Sequence, residues 1–180
     1  MRILACDPGI NGGFSIIQES EGFQNELIVY PSPIDKDGEV DSYSINQWIV
    51  NQCSEINYDA VWIEDVHSIG GSGAKMNFNF GRNLGLLQAV FKMAKISYRK
   101  VQPKIWQAQV HQGNYTKDIH PKIKTRDAIT RLYPHIIPLI TPVKTKRMKN
   151  DPVPHDGILD SIGIGYYGKL VYEGKIKHNE

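Results

Sequence analysis

Arg2-Ile3-Leu4-Ala5-Cys6-Asp7-Pro8-Gly9-Ile10-Asn11-Gly12-Gly13-Phe14-Ser15-Ile16-Ile17 decides the architecture. An apolar run ends on a carboxylate, turn residues follow, and a second apolar run resumes. Pro-Gly and Asn-Gly-Gly are turn chemistry, so the stretch predicts two strands joined by a tight connection. Leu27-Ile28-Val29-Tyr30 predicts a third strand that closes a small antiparallel meander. Cys6 reads as a small buried hydrophobe inside the first strand, and Cys53 shares no motif spacing with it.

Working outward, Ser44 is expected to cap a helix running to about Cys53, with Ile45, Trp48 and Ile49 on one face. Ala60-Val61-Trp62-Ile63 is apolar without alternation, which suits a strand buried on both faces and ending at Glu64. A glycine-bearing loop (Gly70, Gly71, Gly73) follows, then a helix from about Arg82 to Ala94. Ile96 to Val101 predicts a short strand. Pro103 opens a helix at its first turn, and Lys122 to Tyr133 is another, ended before Pro134. Residues 134–154, with five prolines, read as a loop, and a last helix is expected from His155 to Tyr172. Three strands, helix, strand, helix, strand, helices is the order of an α/β fold: a mixed five-stranded sheet flanked by helices. At 180 residues one domain spanning 1–180 is expected.

No stretch approaches the roughly 20 apolar residues of a membrane span. The chain opens on a strand pattern, so no signal peptide and a reducing cytosol are expected. The net charge of +2 hides an asymmetry. Residues 1–91 carry four basic against twelve acidic side chains, a net of −8. Residues 92–150 carry fourteen against two, a net of +12. Basic residues recurring over several elements point to a polyanionic partner rather than one solvated helix face.

Four acids stand where strands end or a helix begins: Asp7, Glu64, Asp156 and Asp160. If the fold gathers them, they form an oxygen-rich site for divalent cations acting on phosphates. Asp156 and Asp160, four apart, share one helix face near an N-terminus whose dipole offsets their repulsion. Glu64 and Asp65 point to opposite faces, and Glu64 is favoured because it ends the apolar run. Bland readings stand beside these: Asp7 as a turn residue, Asp156 as a helix cap. Met76, Phe78 and Phe80 are either core or a platform for splayed bases. His111, His120 and His135 have no ligand spacing and suit surface or capping roles. No Ser/His/Asp or Cys/His arrangement is suggested.

Together these pieces resemble the RuvC-like Holliday junction resolvases, particularly their bacteriophage branch. The matching segments are Ile3 to Gly9 with Gly12-Gly13, Val61 to Val66, Phe80-Gly81-Arg82-Asn83-Leu84-Gly85, Val101 to Trp106, and His155-Asp156-Gly157-Ile158-Leu159-Asp160-Ser161. The resemblance implies an RNase H-like fold, a homodimer, and Mg2+- or Mn2+-dependent nicking of two strands of a four-way DNA junction in a bacterial cell. It implies two ions held by Asp7, Glu64, Asp156 and Asp160, with Asp7 shared between them. His155 is a candidate acid–base or phosphate contact, and either it or Asp156 fills the third role. The family's base-stacking aromatic falls at His67 here, with Phe78 or Phe80 as substitutes. Phosphate contacts are expected from Lys75, Arg82, Lys104, Lys117, Lys122, Lys124, Lys144, Lys146, Arg147 and Lys149. Rival readings are a same-fold nuclease for RNA–DNA hybrids or flap and Y-shaped DNA, and a non-catalytic branched-DNA binder.

Overall fold

The opening stretch forms two strands, β1 (Arg2–Asp7) and β2 (Gly13–Gln18), paired antiparallel from Arg2↔Gln18 to Asp7↔Gly13. A computed structural model describes residues 1–20, 26–53, 57–65, 73–113, 118–145 and 148–178. β3 (Glu26–Pro31) extends the meander, while β4 (Ala60–Glu64) and β5 (Arg99–Val101) run parallel to β1. The sheet order is β3-β2-β1-β4-β5, which makes β1 and β4 adjacent central strands.

Strand parity then decides what faces what. Leu4, Cys6, Val61 and Ile63 point to one face, where they pack with α1 (Ser42–Cys53) and α2 (Ala74–Met93) through Ile45, Ile49, Leu87, Val90 and Phe91. Ile3, Ala5 and Trp62 point to the other. There they meet α3 (Pro103–Val110), α4 (Pro121–Leu132) and a long C-terminal helix (Asp156–Tyr172) through Trp106, Val110, Ala128, Ile129, Ile158 and Ile162. Between α4 and that helix lies one further short helix, α5 (Ile137–Ile140), so the C-terminal helix is α6. α6 is apolar nearly all round because it is buried nearly all round, touching β1, β2, β4, α3 and α4.

The expected α/β plan holds, and four local readings are corrected. The cap of α1 is Asp41, whose carboxylate accepts from the Ser44 backbone N–H at 3.1 Å and its hydroxyl at 2.6 Å. Ser44 is the third helical residue, not the cap. α2 begins at Ala74, not near Arg82, so Met76, Phe78 and Phe80 are helical rather than in a loop. The proline-rich 134–154 stretch contains a 3-10 turn (Pro134–Ile136) as well as α5, since Pro134 and Pro138 each sit in a first turn where proline costs no hydrogen bond. The last strand is only three residues long, Arg99–Val101. Cys6 is fully buried as expected.

Candidate active site

Asp7 and Glu64 end the two central parallel strands in neighbouring register, since Cys6 pairs with Ile63 one step before. By parity both side chains lie on the Ala5–Trp62 face, toward α6. Asp65, one residue on, turns away and pairs with Lys100 at 2.8 Å. Glu64 is therefore the carboxylate of the pair that faces α6 and Asp7.

α6 is brought onto this point by a contact only glycine permits. A Cβ on Gly157 would lie 2.0 Å from the Asn11 carbonyl oxygen and 2.5 Å from Gly12 Cα. The β1–β2 turn thus seats directly on the first turn of α6, placing Asp160 beside Asp7. Ser15 in β2 secures the same junction by donating to the Ser161 carbonyl at 2.9 Å.

The charges oppose one another. Burial, then Glu64 and Asp160, push the Asp7 carboxyl well above its ordinary range, while Lys122 pulls the other way. Asp160 is pushed up to about 7 by burial, then by Glu64 and Asp156. Glu64 is raised by burial and partly brought back by Trp106, whose Nε1–H donates to Oε1 at 2.8 Å. Lys122 Nζ holds Asp156 at 2.6 Å, and that bond raises the ammonium. A groove of about 1010 Å3 opens over the acids. Its floor is Asp7, Asp156 and Asp160, and α2 supplies a wall through Met76, Asn79, Phe80 and Asn83.

The donor set fits a hard divalent cation in kind: carboxylate oxygens, partly open, carrying more negative charge than their surroundings offset. Among the described residues no three His, Cys, Asp or Glu side chains are grouped as a formed metal cage.

His155 has a definite structural job. Its Nδ1 accepts from the Ile158 N–H at 3.3 Å, capping α6. A neutral ring with Nδ1 accepting carries its proton on Nε2, so His155 faces other partners as a donor. Lys75 and Phe80 line the groove with Lys122, whereas Phe78, 69% exposed, stands on the outer side of α2. Arg82 is bound to Glu39 at 2.5 Å and Lys144 to Asp151 at 2.5 Å. Lys104 and Lys149 are exposed, and Lys124 is half-buried on α4. His67, Lys117, Lys146 and Arg147 lie outside the described residues, as does the Gly70-Gly71 loop.

The side chains that hold the acids carry little signal in the sequence. Trp106 falls within a matching segment, but no motif gives it a role. Thr125, whose hydroxyl lowers the Asp160 carboxyl, and Asn83, buried with Oδ1 unpartnered among the described residues, stand at no telling spacing.

Carboxylates at the ends of central strands, over a buried C-terminal helix in a five-stranded mixed sheet, define the RNase H-like, RuvC-type architecture. Solved structures agree. The structure "T. thermophilus RuvC in complex with Holliday junction substrate" matches over 97% of this chain and 96% of its own, with a TM-score of 0.59 and 13% identity. A second Thermus thermophilus RuvC structure matches over 97% of both chains, with a TM-score of 0.57 and 15% identity. No protein-family model and no curated protein sequence matches the chain. The chain thus has the RuvC-type fold at a sequence distance where the fold alone is shared.

Proposed function

We propose that this protein is a divalent-cation-dependent endodeoxyribonuclease that resolves four-way and other branched DNA junctions by paired nicks. The observation that carries this is the convergence of Asp7, Glu64 and Asp160 on one side of the central strands, beside an open groove whose lining includes Asp7, Asp160 and the basic side chains Lys75 and Lys122. Two ions, Mg2+ with Mn2+ as substitute, would be held by Asp7, Glu64 and Asp160, with Asp156 joining once Lys122 releases it. A bound cation supplies neutralisation of the scissile phosphate and a more acidic attacking water. Trp106 keeps Glu64 Oε1 occupied and so leaves Oε2 for a ligand. Lys122 neutralises Asp156 until the phosphate arrives. His155, a donor at Nε2, suits a phosphate oxygen or the leaving oxygen. Lys75, Lys104, Lys124, Lys144 and Lys149 would supply backbone contacts, and Phe80, which lines the groove, would stack on a base.

Paired nicks require two sites, and α2 offers a seam for a second copy. Phe78, Gly81, Gly85, Ala89 and Met93 follow one another on its exposed face, with Met93 82% exposed. We place the homodimer contact there. The i, i+4 spacing of Asp156 and Asp160 supports the bacteriophage branch. Among the described residues no helix is long and apolar enough to cross a membrane.

The test is cleavage of a synthetic four-way junction with and without Mg2+, beside Y-fork and RNA–DNA hybrid substrates. Two symmetric nicks in the junction, abolished in Asp7→Asn, are the expected result. Normal cutting by Asp7→Asn sinks the assignment. Preference for the hybrid moves the protein to another substrate class, and binding without cutting makes it a non-catalytic binder.

A further inference from the structure

Glu64 and Asp160, on either side of the acid cluster, are reached from beneath by one small set of side chains that meets at His111. His111 ends α3 and places Nε2 2.8 Å from the Thr125 hydroxyl on α4. Thr125 is 1% exposed, and its hydroxyl draws the Asp160 carboxyl back down against the burial that raises it. On the other side, the His111 ring stands edge-on to Trp106, with centroids 5.8 Å apart at 73°, and Trp106 donates to Glu64.

The proton inventory fixes the direction of these bonds. An ionised Asp160 can only accept, and Thr125 has one hydroxyl hydrogen, so that hydrogen goes to Asp160. His111 must then donate from Nε2, which selects the Nε2–H tautomer of its neutral ring. Burial, and then Lys124, favour the neutral ring by lowering its pKa.

We propose that His111 is a positioning residue of the cation site: it holds the Thr125 hydroxyl on Asp160 while its ring edge braces the Trp106 that holds Glu64. This rests on the reading of Asp7, Glu64 and Asp160 as cation ligands. Outer partners of this kind typically change metal affinity by 10–100-fold when removed. The role differs from catalysis, because His111 acts through Thr125 and Trp106 and touches no reacting atom. It also explains a polar pair at the α3–α4 contact, where two apolar side chains would fill the space.

The experiment measures Mn2+ binding to the full chain by electron paramagnetic resonance, beside the metal dependence of junction cleavage. Thr125→Val and His111→Ala should each weaken Mn2+ binding about tenfold or more. Thr125→Ser keeps the hydroxyl and should bind Mn2+ like the parent. The combined Thr125→Val, His111→Ala variant should fall short of the product of the single effects, since both act in part through the Thr125 hydroxyl. Saturating Mn2+ should restore most of the cleavage rate, a shift in metal requirement rather than in kcat. Melting curves show that each variant is folded. Unchanged Mn2+ affinity in Thr125→Val overturns the inference. So does an equal drop in Thr125→Val and Thr125→Ser, which would trace the effect to packing at this position rather than to the hydroxyl. Failure of the parent protein to bind Mn2+ overturns the cation reading as well. Parent binding with unaffected variants removes this inference alone.

Discussion

Asp160 is a carboxyl placed where its own neighbours oppose its charge. Its pKa of about 7 in the folded chain lies above the ordinary 3.8, first through burial and then through Glu64 and Asp156. The folded state therefore keeps this proton longer than the unfolded state does. That contribution to stability is present below about pH 4 and is gone once pH rises past about 7. At about 1.4 kcal/mol per pKa unit, the change is on the order of 4 kcal/mol. Asp7 is shifted the same way, so the metal-free protein should melt at lower temperature at pH 8 than at pH 5. Asp160→Asn should melt higher than the parent at pH 8 without metal, and its junction cleavage should fall about a hundredfold or more. Mg2+ should raise the parent's Tm and leave that of Asp160→Asn nearly unchanged. Thermal melts of both chains at the two pH values, with and without Mg2+, check this. A variant no more stable than the parent at pH 8 contradicts it. At this scale Asp7 and Glu64 are legible in the sequence because strand ends and a period of two place a side chain without any tertiary knowledge. The Trp106 bond to Glu64 and the effect of Thr125 on Asp160 are not, because they join residues far apart in the chain through no repeating interval.

α2 shows what local signals miss. Asn77, Asn79 and Gly81 lower helix propensity, which suits the start near Arg82 that the sequence predicts. Packing of Leu87, Val90 and Phe91 against the sheet overrides this and carries the helix back to Ala74. The added length, about two turns, matters for the site, because it puts Met76, Asn79 and Phe80 on the groove wall and turns Phe78 outward. Glycines at an exposed helix face weaken a lone helix, which makes sense where another backbone approaches closely. A Cβ at Gly85 would meet nothing within 4 Å in the protomer. Gly85→Leu should therefore leave the protomer folded and its helix about 1 kcal/mol better favoured. The same leucine should block the proposed seam. Sedimentation should show a shift from dimer to monomer, with single nicks replacing paired nicks. Unaltered dimerisation places the contact elsewhere on the molecule. The N-terminal end of α6 carries the same lesson: the sequence marks His155 as a candidate for chemistry, and its geometry adds that it caps the helix bearing two of the acids.

Across the whole molecule, the +12 segment follows the −8 segment in sequence and folds against the same sheet. Part of its positive charge is already engaged with the protein's own acids: Lys122 with Asp156, Lys100 with Asp65, Lys144 with Asp151. Internal pairing lowers the number of phosphates the segment can neutralise below what a residue count suggests. It also separates two kinds of lysine. Lys104 lies exposed on α3 and should bind a phosphate, whereas Lys122 sits on the rim of the acid cluster and answers to its charge. Removing one lysine–phosphate ion pair should lower the slope of log K against log salt by about 0.9 for duplex arms. Lys104→Ala should reduce the slope for binding to a four-way junction by about that amount, with little change in the cleavage rate at saturating DNA. Lys122→Ala should change the slope less than it changes that rate, because its removal leaves Asp156 and Asp160 without their counter-charge. Titrations of labelled junction over a range of salt, in Ca2+ so that binding is read without cutting, give the slopes. Single-turnover cleavage in Mg2+ gives the rates. If both variants alter slope and rate in the same proportion, Lys122 belongs with the general phosphate-binding lysines and its bond to Asp156 has no separate consequence.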